Sequence, residues 1–169
     1  MLRVCPPFVL VVAALAGGGC GGGGVLSAHL EAAPVDVTSR DSVRELRFVA
    51  EASTSDAVTD GDFGVEVRAP AGGLAGQVRV TVVRGDDLAA DPAPAADVVQ
   101  CKADEPVIVH HAALAGPAGH RRQPFVIAFA PEGLDAGVTV QLPVVVDAQL
   151  VYENAPTAPA GDFLRLTLE

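Results

Sequence analysis

Apolar and polar residues alternate along most of this chain with a period of two, the signature of a strand that buries one face. Over 45–51, Leu46, Phe48 and Ala50 point one way and Glu45, Arg47 and Glu51 the other. Val65 and Val67 share a side within 64–68, as do Val78, Val80 and Val82 within 77–84. Phe125, Ile127 and Phe129 form another set, followed by Val138, Val140, Leu142, Val144 and Val146, and Leu164, Leu166 and Leu168 close the chain. Pro143 interrupts its run, which predicts an edge strand or a bulge, because proline has no N–H to give to a ladder. Weaker candidates lie at 35–38, 97–101, 106–111 and 149–152.

Turn-forming clusters of Gly, Pro, Asp and Asn separate these runs, at 70–73, 85–87, 92–94, 116–119, 131–133 and 154–161. No window carries a sustained helical period with caps. About seven to nine short strands divided by turns predict an all-β chain, an antiparallel β-sandwich of immunoglobulin-like type. The stretch from Pro131 to Pro143 resembles the turn-then-strand of bacterial immunoglobulin-like modules, although the Cys…Trp…Cys of antibody domains is absent from the sequence.

The N-terminus follows another pattern. Arg3 precedes nine apolar residues, Phe8 to Ala16, then three glycines, Cys20 and four more glycines. A basic start, a short apolar core and small residues form a secretory signal. Nine apolar residues are too few to cross a hydrocarbon core, which takes about 20. The segment resembles the lipobox signal of bacterial lipoproteins. That resemblance implies cleavage before Cys20 and a diacylglyceryl lipid on its sulfur, with Gly17 standing where the usual pattern has leucine. The alternative is A-x-A cleavage after Ala16, which leaves Cys20 a free thiol. The expected organisation is a signal peptide over 1–19, a lipidated Cys20 with a flexible Gly-rich tether over 20–32, and one domain over 33–169. Such a chain is exported and lipid-anchored to a bacterial membrane, with the outer membrane or cell surface favoured.

Charge narrows the partners. The chain has 11 basic and 21 acidic residues, and loss of 1–19 removes only Arg3, so the mature charge is 10 − 21 = −11. An acidic domain without a basic stripe does not neutralise phosphates, which argues against nucleic acid. The lack of tryptophan and a single tyrosine argue against a stacking platform.

Candidate chemistry is sparse. His110 and His111 are neighbours, and neighbours on a strand face opposite ways. No C-x-x-C, H-x-x-H or H-E-x-x-H spacing and no G-x-S-x-G elbow occurs. Cys101 and His110 lie on successive predicted strands and are the one pair that suggests a small envelope enzyme or redox protein. Arg84-Gly85-Asp86 reads as strand end and turn. If consecutive strands run antiparallel, the loops after 51 and after 84 fall at one end, bringing together Asp56, Asp60 and Asp62 with Asp86, Asp87 and Asp91. Oxygen-rich loops of this kind suit Ca²⁺, and His120, Arg121 and Arg122 would lie at the same end. The expectation is therefore a non-catalytic structural or binding module whose partner is an envelope protein or wall component. A Ca²⁺-stabilised adhesion-type domain is the alternative.

Overall fold

The computed structural model describes residues 24–39, 43–68, 77–86, 97–102, 107–155 and 157–169, with the backbone alone at 77 and 97–102. All regular elements among the described residues are strands: β1 (Gly24–Thr38), β2 (Arg44–Thr54), β3 (Asp60–Val67), β4 (Gln77–Arg84), β5 (Asp97–Lys102), β6 (Val107–Ala112), β7 (Gly119–Ala130), β8 (Thr139–Tyr152) and β9 (Phe163–Leu168). They build a four-stranded sheet, β1-β8-β3-β6, and a five-stranded sheet, β5-β4-β7-β2-β9. Every pairing is antiparallel.

The chain is thus the predicted β-sandwich, but the strand order corrects the immunoglobulin-like expectation. In that order the first two strands are neighbours within one sheet. Here β1 pairs with β8, β2 with β7, β3 with β6 and β4 with β5. These nested pairs describe one long hairpin, rolled until β3 meets β8 and β4 meets β7. That is the jelly-roll solution of the two-sheet sandwich, with β9 added against β2. A period-two pattern shows which residues face inward and is silent on which strand lies beside which.

The core is the interleaving of the two inner faces. Leu26, Ala28, Leu30, Val35 and Val37 of β1 and seven alternate residues of β8, Val140 to Tyr152, are buried on one sheet. Phe48, Ala50 and Ala52 of β2 and Phe125, Ile127 and Phe129 of β7 answer them from the other. Between the sheets the Phe63 and Phe125 rings stack with centroids 3.7 Å apart and planes 4° from parallel.

Two prolines sit inside central strands, and one geometry accommodates both. Pro143 of β8 lies opposite a bulge in β1, where the register passes from Ala32↔Val144 to Val35↔Leu142. On its other side, the Pro143 carbonyl accepts from Arg68 N at 3.0 Å, just past the end of β3. Pro124 of β7 likewise accepts from Gly85 N at 2.7 Å, just past the end of β4. A residue's N and C=O face the same neighbour in an antiparallel ladder, so each missing N–H falls where the neighbouring strand has already stopped. A bulge does lie opposite Pro143, in β1, and β8 is not an edge strand.

A second correction concerns the tether. Gly24 to Ala32 belong to β1 and run in register with β8, from Gly24↔Tyr152 to Ala32↔Val144. Gly24 is buried against the 157–158 segment, where an added Cβ would lie 2.6 Å from the Thr157 carbonyl oxygen. Residues 24–32 therefore belong to the fold and not to a tether. Cys20 itself lies outside the described residues.

Candidate functional site

Strand directions gather several connections at the end of the sandwich where β1 begins: β2 to β3, β6 to β7, and β8 to β9. This Gly24 end is closed by its own loops. Val58 and Gly116 exchange backbone hydrogen bonds of 2.8 and 3.0 Å, which ties the 55–59 loop to the 113–118 loop. Val58 and Leu114 are buried beneath them.

Under this cover the inward-facing positions turn polar. Arg121 continues the inner face of Phe125 and Ile127, and its guanidinium donates to the Pro117 carbonyl at 3.3 Å and to Thr54 Oγ1 at 3.4 Å. Burial pulls the Arg121 pKa down from its ordinary value, with Tyr152 opposing that shift. Thr54 donates onward to the Gly119 carbonyl at 3.3 Å. The Tyr152 hydroxyl donates to Asp162 Oδ2 at 2.8 Å, and both Asp162 oxygens accept from Ser55 N, at 2.8 and 3.0 Å. A pocket of about 320 Å³ opens above this network, lined by Asp56, Ala57, Thr59, Tyr152, Glu153, Asn154 and Ala155.

The chemistry of this pocket is that of a latch. Burial first, and the hydrogen bond to Asp162 second, push the Tyr152 hydroxyl far above its ordinary pKa, so it is neither a base nor a nucleophile near neutral pH. Asp162 accepts three hydrogen bonds and holds the 55–59 loop to the β8–β9 connection. The folded state binds the phenolic proton more tightly than the unfolded chain. This contribution to stability is complete below about pH 10, the ordinary tyrosine value, and is lost as the pH rises above it. Tyr152 is the sole tyrosine and tryptophan is absent, so ultraviolet absorbance reads this one group. Tyrosinate is expected to appear only together with unfolding. A reversible titration near pH 10 in the folded protein would contradict the latch.

Among the described residues, the acids expected to converge are not brought together. Asp56 is exposed at the pocket rim, beside the Ser55 hydroxyl at 3.4 Å. Asp60 and Asp62 belong to β3, alternating with the buried Gly61 and Phe63, and so face out of the four-stranded sheet. Asp62 lies 3.3 Å from His110 Nδ1. Asp86 accepts from Gln123 at 3.0 Å and Arg84 at 3.2 Å, and these two bonds, in that order, hold its carboxyl below the ordinary range. Asp87 and Asp91 lie outside the described residues. The strand directions are those expected, but the strand ends are staggered. β2 reaches Thr54, opposite Gly119, whereas β4 stops at Arg84, opposite Phe125. Six rungs along β7 at ~3.3 Å each put these two strand ends ~20 Å apart. Among the described residues, no three of His, Cys, Asp and Glu gather closely enough to hold a metal ion.

Other sequence candidates are also dispersed. Cys101 pairs in register with Val78 in the five-stranded sheet, whereas His110 belongs to the four-stranded one. His110 is exposed, close over Gly64 on the outer face, and His111 turns inward with its ring edge-on to Phe125, centroids 6.2 Å apart. The two histidines do face opposite ways. Arg122, expected at the same end as the acids, pairs with Glu169 and Glu51. Arg84 and Asp86 pair with each other across the turn. The polar latch is not legible in the sequence, because it joins residues as far apart as Ser55 and Asp162, 107 positions along the chain, and each reads alone as a turn or strand residue; only the single tyrosine ending an apolar run gives a hint. Compared with protein-family models, with curated proteins and with solved structures, the chain matches none.

Proposed function

We propose that this chain is an exported lipoprotein whose β-sandwich serves as a non-catalytic structural or binding module at the bacterial envelope. A diacylglyceryl group on Cys20 would hold it to the membrane, and an envelope protein or wall component would be its partner. The supporting observation is the position of Cys20, three glycines after an apolar export core and four residues before the first strand. Cleavage at that point leaves every described strand intact and puts the new N-terminus next to the fold. The hydrogen bonds that join Tyr152, Asp162 and Ser55 at the Gly24 end support the same reading, because they suit these groups to a structural role.

Metabolic labelling tests the anchor. Expressed in a bacterium with an alkynyl fatty acid, the wild-type chain is expected to become labelled and Cys20→Ser to remain unlabelled. An unlabelled wild type, or label that persists in Cys20→Ser, would overturn the proposal.

A further inference from the structure

We infer that the Gly24 end of the sandwich is held against the bilayer, leaving the opposite end and the outer sheet faces open to partners. This rests on the lipid anchor at Cys20 proposed above. Only Gly21, Gly22 and Gly23 lie between that cysteine and Gly24. Gly24 is fixed in the fold by its pairing with Tyr152 and its packing against Thr157 and Ala158. Four Cα-to-Cα steps reach at most ~14 Å, at ~3.6 Å per residue. The headgroup layer on each side of a bilayer is itself ~5–7 Å thick. The glycines are therefore a short leash, and they do not let the domain stand off freely.

The length of the sandwich sets the other limit. β8 runs 14 residues from the opposite end to Tyr152, ~46 Å at ~3.3 Å per residue. The opposite end carries the 131–138 turn, whose Gly137 N donates to Ser39 Oγ at 2.9 Å in the β1–β2 turn. A mature charge of −11 disfavours laying either sheet along an anionic headgroup layer, so the long axis stands steeply. The pocket rimmed by Asp56 and Glu153 then faces the membrane, and the turns around Ser39 and Gly137 project outward.

The absence of tryptophan makes the orientation measurable. Ala118, at the Gly24 end, and Ala136, at the far end, are both exposed and each accepts a tryptophan without touching the core. The full acylated chain carrying Ala118→Trp or Ala136→Trp is reconstituted in phosphatidylethanolamine–phosphatidylglycerol vesicles containing a dansyl lipid. Energy transfer is expected to be several-fold stronger from the Ala118→Trp protein. A long Gly/Ser insertion between Gly23 and Gly24 is expected to bring it down to the level of Ala136→Trp. Equal transfer from both positions, or transfer that the insertion leaves unchanged, would overturn the orientation while leaving the anchor in place. A reconstituted protein whose mass shows no acyl chains would remove the anchor and the orientation together.

Discussion

Phe125→Ala is expected to cost about 3–5 kcal/mol, the range for removing a fully buried phenylalanine from a packed core. Phe125 is completely buried at the centre of β7 and stacks on Phe63, the contact that joins the two sheets near their middle. Truncation removes the stack and the edge contact with His111 at once, and neighbours held in two ladders collapse poorly into the space. At about 3 °C per kcal/mol for a domain of this size, the melting temperature should fall by about 9–15 °C. Phe163→Ala is the comparison, since Phe163 is 39% exposed on the edge strand β9, and a loss of roughly 1 kcal/mol or less is expected there. Equal losses in the two variants would contradict the interleaved core described here.

Gly61→Ala should destabilise the fold by about 2–3 kcal/mol, an overpacking penalty set by backbone and not by a movable side chain. A Cβ at Gly61 would lie 2.5 Å from the backbone nitrogen of Ala115 and 2.5 Å from Leu114. Leu114 is fully buried, and the Gly61 carbonyl accepts from Ala113 N at 3.1 Å, so the crossing segment cannot lift without losing both. The sequence reading of Asp60 and Asp62 as Ca²⁺ ligands gives this glycine a different setting, between two metal-binding acids. The two accounts separate in a melting experiment. Close packing predicts the same loss in Ca²⁺ and in chelator, whereas a loss that Ca²⁺ modulates would favour the metal loop. Gly137→Ala provides a scale, because Gly137 has φ +86° and nothing within 4 Å of the added Cβ. Its cost is conformational only, about 1–2 kcal/mol.

Alternation alone revealed the fold class and most of the strands. The span of β4, 77–84, was legible residue by residue, because three valines alternate with polar partners between clear turn clusters. β7 was legible only from Phe125 onward. Its first half, Gly119 to Pro124, is polar and ends in proline, and its place in the ladder depends on where β4 stops. β1 carried a readable Leu26, Ala28, Leu30 alternation, hidden between a glycine run and Pro34. The two predicted runs at 138–146 and 149–152 proved to be one long strand, since Asp147 and Gln149 fall on outward positions and do not break the period. Topology was not legible. Nested pairing of β1 with β8 and β2 with β7 is decided by contacts across more than 60 residues of sequence, which a local period cannot encode. Asp86 lies apart from Asp56 for a related reason: parity gives the direction of each strand, and only register gives how far along the sandwich it ends.

The position of the anchor relative to the fold is the central claim, and intact-mass analysis of the mature protein extracted from membranes tests it most directly. The account predicts a chain that begins at Cys20 and carries the added mass of a diacylglyceryl group, with or without a further amide-linked acyl chain. An unmodified chain beginning at Gly17 would contradict it.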